Sequence, residues 1–518
     1  MTNPAATMRL LVTYAICIPV AILAGYFLVN TLNSPDYGNI GILGVIIALL
    51  LVPIFIKWHY PILIIALHLP IVCFFLKGRP SLWQVMVILS FTIAIVERAL
   101  NSKKQFIRVP SMAWPMIYTV GVALFTAKLT GGFGLHALGG DTGGGKKYIA
   151  IFLGVLAFFA ITSRPIPENH RKLYLYFYLL AGVVTFLGDL ALILPTPFNY
   201  ISLLIPPSSQ FATSDDFSFA SSRLVAFGAT GGVLASFMLA IYGMRGIFSG
   251  GKALWRAPIF IGLIGFSLIG GHRLNLLTFV GMCGLMFFLE GLHRTRTLPH
   301  FLFGSVVCVC LLVPLADKLP FSIQRSLAVV PYLHVDPAAR ADAEGSSDWR
   351  LQLWRDTWPK VPQYLLLGKG YALTAEDFEM MGNGMLANGI EAKMDSSEQG
   401  LGIAGDYHSG PLSILMPFGI WGAISYLWLS FAGLRILYRN FKYSEPELRT
   451  VNTYFLAGGI WGFIAFLFIF GAYTDSIFAT AYSIGFSVAL NGGVRGPLPK
   501  PANIFQIKPV RQLQSQPA

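Results

Sequence analysis

His408 sits in Asp406-Tyr407-His408-Ser409-Gly410-Pro411, where a polar stretch gives way to an apolar one. An imidazole at such a boundary exchanges a proton near neutral pH, which makes His408 a candidate general base. The commoner use of a histidine there is a hydrogen bond to backbone, so its neighbours decide between the two readings. Arg223, in Ser221-Ser222-Arg223-Leu224, and Arg273, in Gly270-Gly271-His272-Arg273-Leu274, each open an apolar run. One such arginine is equally well explained by snorkelling to lipid phosphate. Two of them favour a shared anionic ligand, because a guanidinium forks onto phosphate oxygens and keeps its charge at any working pH. Arg350 and Arg355 could join them from the polar stretch, although Arg355 reads more readily as part of a solvated helix face. Asp406, Ser409 and Asp475 are candidates for supporting positions. Asp189, inside an apolar run, needs a partner or a role, and a structural hydrogen bond is a commoner use for it than a proton relay. No His/Cys spacing suggests a metal, and no metal or cofactor is expected.

These residues must be placed by membrane helices. Hydrophobic residues make up 55% of the 518 and charged residues only 12%, against about 25% charged in ordinary soluble proteins. Apolar runs recur from end to end, which predicts an all-α polytopic membrane protein rather than a β-barrel. Fourteen helices are expected, at 10–31, 39–56, 61–76, 82–96, 110–127, 148–162, 173–194, 224–244, 257–270, 274–289, 301–316, 410–434, 451–471 and 476–490. The division is 1–316 for helices 1 to 11, 317–409 for a large polar segment, 410–490 for helices 12 to 14, and 491–518 for a disordered tail. With the N-terminus in the cytoplasm, inside loops carry 22 Lys/Arg and outside loops 15, eight of them in 317–409. Long segments are exempt from the positive-inside rule, so this orientation is favoured. Both termini are then cytoplasmic, and 128–147, 195–223, the 270–273 turn and 317–409 lie outside. Within 317–409, residues 347–358 are expected to form an amphipathic helix at the lipid headgroups. Ser346 or Ser347 would cap it, and Trp354 and Trp358 would share a face.

Other chemistry is excluded. The net charge of +13 comes from basic residues in short loops and is not a nucleic-acid signal. The five cysteines all lie in apolar runs and read as buried hydrophobes. Gly140, Gly145 and Lys146 fit the spacing of a phosphate-binding loop, but Lys147 stands where the magnesium-binding hydroxyl is needed and no strand precedes the run. It reads as a flexible loop. No inverted repeat of the transporter kind is visible.

Together these residues resemble the O-antigen ligase and polymerase superfamily of bacterial envelope glycosyltransferases. The ligase motif is His, then Asn, Ser or Gln, nine residues, and Gly-x-x-Gly. His408, Ser409, the nine residues 410–418, Gly419 and Gly422 fit it. Arg350, Trp354, Gly368 and Gly370 look like its R…W…G-x-G lead-in, and Arg273 and Arg223 like its membrane-surface arginines. The resemblance covers roughly 220–435. Two departures stand out: Ala229-Thr230-Gly231 where an Asn is common, and Pro417-Phe418 where a Glu often precedes the glycine. The resemblance implies a GT-C-like membrane glycosyltransferase of the bacterial inner membrane. It would move a glycan from undecaprenyl diphosphate to an acceptor hydroxyl without a metal ion, its active site on the extracytoplasmic side. His408 would be the base, and Arg223, Arg273 and Arg350 would bind the diphosphate. The acceptor would be a growing glycan, a lipid A core or a protein hydroxyl, making the chain a polymerase, a ligase or a protein O-oligosaccharyltransferase. A transporter or flippase of lipid-linked oligosaccharides is the alternative from another class.

Overall fold

The computed structural model describes residues 37–134, 144–208, 224–330, 332–373, 405 and 407–497, with scattered positions between 19 and 29. Among the described residues every regular element is helical, and the one β-bridge, Val72 to Ser81, is isolated. The principal helices are α1 (Tyr37–Ala66), α2 (Leu82–Leu100), α3 (Pro110–Leu129), α4 (Gly145–Ile161), α5 (Arg171–Leu180), α6 (Phe186–Ile193), α7 (Val225–Phe248), α8 (Ala253–Ser267), α9 (Arg273–Leu289), α10 (Thr297–Leu312), α11 (Phe321–Leu327), α12 (Pro337–Thr357), α13 (Gly410–Lys442), α14 (Arg449–Phe468) and α15 (Tyr473–Leu490). Eight helical stretches among the described residues are long and apolar enough to cross a membrane, and Arg273–Leu289 is a shorter apolar one. The expected count of fourteen is not confirmed among these residues.

Particular residues explain the difference. The first expected helix, 10–31, falls almost wholly outside the described residues. The expected loop between 56 and 61 is instead helical, and α1 runs through Pro53 and Pro61. The second half of that polar run faces protein: the Tyr60 hydroxyl donates to the Ile161 carbonyl at 2.7 Å, and His59 Nδ1 pairs with Ser90 Oγ at 2.8 Å. The helix expected over 61–76 ends at Ala66, shortly before Pro70, which disfavours helical geometry in the residue before it. The expected helix 173–194 is broken by a 3-10 turn over Ala181–Thr185.

Buried Asp189 fills the structural role. Its carboxylate accepts from the backbone N–H groups of Ser208 (2.9 Å) and Ala226 (3.1 Å), satisfying the otherwise unbonded amino end of α7. That end of α7 packs against the turn of the α8/α9 hairpin. A Cβ on Gly228 would lie 2.6 Å from the Gly270 nitrogen, and one on Gly231 2.8 Å from the Ser267 nitrogen. Only bare backbone allows this approach, and it fixes the turn from which α9, and Arg273 with it, begins.

Helix α13 is two helices. Its dihedrals break at Gly419 (φ 59°, ψ −151°). Residues 410–418 form a half-helix ~13 Å long at 1.5 Å per residue, folded back on the remainder of α13. A Cβ on Gly422 would meet Phe418 Cβ at 2.4 Å and Ile414 Cγ2 at 3.0 Å, an approach an unbroken helix does not make. The groups released by the break are satisfied by the 365–370 turn. Lys369 N–H donates to Met416 O (2.7 Å), Gly370 N–H to Pro417 O (3.0 Å), and Ile420 N–H to Leu365 O (2.7 Å). A Cβ on Gly368 would sit 2.1 Å from the Pro417 oxygen. The two glycine pairs thus form one joint between the polar segment and the membrane helix.

Candidate functional site

His408 lies immediately before the half-helix, with Ser409 as its N-cap residue. Its backbone is left-handed (φ 48°), which is uncommon outside glycine, asparagine, aspartate and histidine. Neighbours hold it there. The Trp354 indole donates to the Tyr407 carbonyl at 2.9 Å. Gly410 packs so closely on the end of α14 that a Cβ would lie 2.0 Å from the Phe466 oxygen. Buried Val361, Tyr407, Leu412 and Met416 form a small core beneath the loop. The imidazole ring sits between Trp349, edge-on at 5.2 Å, and Phe470, also at 5.2 Å.

The next residue on α12 brings positive charge to the same place. The Arg350 guanidinium lies 5.8 Å over Phe470, the ring that His408 packs against. Burial, and then the nearby guanidiniums of Arg273 and Arg325, hold Arg350 below the usual arginine range. Like charges therefore converge at this end of the bundle, and Arg350 Nε is buried without a hydrogen-bond partner among the described residues. Such an arrangement suits an anion with several oxygens. Tyr407 is not a competing base: burial, and then neighbouring Tyr364, push its hydroxyl up to about 12.

The other candidates separate. Arg223 and Asp406 lie outside the described residues. Ser409 contributes backbone, its carbonyl accepting from Ser413 N–H at 2.8 Å. Arg355 is exposed, five residues on from Arg350 and so on another face of α12. Asp475 lines a cavity of about 690 Å³ that continues from Phe470 alongside α14, past Thr278 and Tyr426 to Tyr454. Helix α12 itself starts ten residues before the expected 347, at Pro337, where the Asp336 carboxylate accepts from Ala338 N–H at 2.7 Å. Ser346 and Ser347 are interior. Their polarity resembled a cap, but the local Ala-rich sequence carries the helix past them. Of the glycine-rich run, 140–143 lie outside the described residues; Gly145–Lys147 open α4, and a Cβ on Gly144 would lie 1.6 Å from the Tyr371 oxygen.

One residue at the site was missed. Arg325 on α11 is 5% exposed, bonds the Gly271 carbonyl and pairs with Asp342 on α12. Its short helix inside a long polar stretch gives no periodic signal that singles it out.

The half-helix, its glycine hinge and the arginines that flank the histidine all fall in one stretch of chain. Residues 257–427 match the O-antigen ligase family model. The match supports the O-antigen ligase/polymerase superfamily and points in general terms to a membrane glycosyltransferase or ligase. It runs from within α8 to within α13, spanning Arg273, Arg325, Arg350 and His408. For an O-antigen ligase family region, lipid-linked glycan and acceptor substrates are implied, with the apolar helices set in a bilayer. No curated protein matches the chain.

Proposed function

We propose that the chain transfers a glycan from a polyprenyl diphosphate, undecaprenyl diphosphate in bacteria, to an acceptor hydroxyl at the extracytoplasmic face of the inner membrane. The observation that carries this is Phe470, which packs against both His408 and Arg350, while Arg350 feels the charge of Arg273. A base and an anion clamp are thereby neighbours.

Arg273 and Arg350 bind the diphosphate and stabilise the charge that grows on it as the bond to the anomeric carbon breaks. Diphosphate is a weak base, so it departs without a strong general acid. His408 takes the proton from the acceptor hydroxyl as its oxygen attacks that carbon, and direct attack inverts the anomeric centre. The cavity beside α14 receives the polyprenyl chain. Its mixture of aromatic and aliphatic side chains suits an apolar ligand, and it meets the site at Phe470. The positive-inside count supports placing this end of the bundle outside and both termini inside.

The test uses purified protein and a lipid-linked oligosaccharide in detergent, where a transporter has nothing to transport. Transfer to an acceptor, lost in His408→Ala, is the expected result; near-normal turnover in that variant removes the base. A ladder of product lengths identifies a polymerase, and one addition per acceptor a ligase.

A further inference from the structure

The two arginines assigned to the diphosphate come from different parts of the molecule. Arg273 starts α9, after the hairpin turn; Arg350 lies on α12, in the polar segment. Something must fix one against the other. Helix α11, only seven residues long, stands between them and is fastened to both.

On the hairpin side, Arg325 donates to the Gly271 carbonyl, two residues before Arg273, and the Ser326 hydroxyl donates to the Leu268 carbonyl at 3.2 Å. Gly271 holds a left-handed backbone there (φ 69°). Leu327 packs with Leu268, Ala316 and Leu333 in a small core beneath the turn. On the other side, Arg325 Nε pairs with the Asp342 carboxylate, eight residues before Arg350 on the same helix. Gln324 completes the attachment: its Oε1 accepts from Asp336 N–H at 2.6 Å, at the cap of α12, while its Nε2 donates to the Leu319 carbonyl at 2.7 Å.

The pair also sets the charge. Arg325 lies close enough to lower the proton affinity of Arg350, as Arg273 does. Asp342 offsets Arg325, so that two arginines face an anion rather than three crowding one another. The geometry points to Arg325 and Asp342 as a positioning pair that holds Arg273 and Arg350 at the separation a diphosphate ester needs. This rests on the diphosphate reading of the site, but the pair has a readout of its own.

That readout is a distance. In a cysteine-free background, spin labels at Val280→Cys on α9 and Gly345→Cys on α12 report the hairpin-to-α12 separation. Val280 is 64% exposed, and an added Cβ at Gly345 meets nothing within 4 Å. The protein is full-length, in nanodiscs. Asp342→Asn keeps the side-chain shape at a position 38% exposed, and thermal unfolding checks that the variant folds. It and Arg325→Met should broaden the distance distribution. Both should raise KM for the lipid diphosphate about 10- to 100-fold, as expected when a binding group is displaced by about an ångström, with a smaller change in kcat. Asp342→Glu, which keeps the charge, should restore most of the affinity. An unchanged distance distribution in both variants overturns the proposal, as does Asp342→Glu behaving like Asp342→Asn. If the wild type transfers no glycan, the functional reading fails, and the distance measurement still decides the positioning role.

Discussion

The indole N–H of Trp354 donates to the carbonyl of Tyr407 at 2.9 Å, tying α12 to the residue before His408. The bond helps hold His408 in its left-handed backbone while the ring faces Trp349 and Phe470. Trp354→Phe keeps an aromatic ring and removes the donor. It should lower kcat about 5-fold, in line with the ~1 kcal/mol of a net hydrogen bond, and leave KM for the donor lipid within about twofold. An unchanged kcat in steady-state assays counts against this coupling.

Replacing the proposed base should separate chemistry from conformation. His408→Ala and His408→Asn both remove the imidazole, but asparagine tolerates a left-handed backbone better than alanine does. Both should lose about 10²–10⁴ in kcat, with His408→Asn the more thermally stable of the two. Paired turnover and melting measurements check this.

The arginine clamp predicts a loss of affinity even where charge is kept. Arg273→Lys and Arg350→Lys retain a cation but lose the fork. Each should weaken binding of a polyprenyl diphosphate about 10-fold or more, since hydrogen bonds to charged groups contribute ~1.5–3 kcal/mol. Equilibrium binding with a non-transferable lipid diphosphate measures it directly. On the proposed mechanism turnover should persist in excess chelator, with the arginines filling the role of a divalent cation.

The hinge should be intolerant of any side chain. At Gly419 a Cβ would lie 2.3 Å from the Leu365 oxygen, at a φ of 59°. Gly419→Ala should cost at least about 2 kcal/mol from clash and backbone strain together. Gly368→Ala, with its Cβ 2.1 Å from the Pro417 oxygen, should behave alike. By contrast, Gly345→Ala on the exposed face of α12 should be neutral or stabilising. Thermal unfolding in one detergent ranks the three.

Filling the cavity should discriminate by lipid length. A Cβ on Gly458 meets only Met282 Cε, at 3.9 Å, within the cavity wall. Gly458→Leu should raise KM for a long-chain polyprenyl donor at least several-fold and leave a short-chain analogue nearly unaffected, because a leucine removes space the longer chain occupies. Equal effects on both donors would place the chain elsewhere.

Much of the candidate site's framework was legible because its residues sit at spacings with a mechanical reason. The nine residues between Ser409 and Gly419 are the length of the half-helix, and Gly422 is small because Phe418 and Ile414 fold onto it. Gly368 and Gly370 could be picked out by pattern, but their contact with Pro417 could not, since it joins distant parts of the chain. Helix ends were less legible. Lys57 to Tyr60 carry the polarity of a loop, yet His59 and Tyr60 find partners on α2 and α4, and a single sequence does not reveal such pairing. Asp189 was readable as a polar group in need of a partner, while the partner, the start of α7, depended on tertiary structure. Arg325 was illegible for the same reason: its meaning comes from Gly271 and Asp342 together.

The turn over 365–370 belongs to two bodies at once, completing the hydrogen bonding of the α13 hinge while continuing the polar segment. The half-helix it braces is a lever whose fulcrum is Gly419 and whose far end carries His408. A macrocycle or antibody fragment that pried Lys369 and Gly370 from Met416 and Pro417 should tilt His408 away from Trp349 and Phe470 and, if it is the base, lower turnover. Inhibition by that route should be non-competitive with the lipid donor, because the contact it breaks lies outside the proposed site.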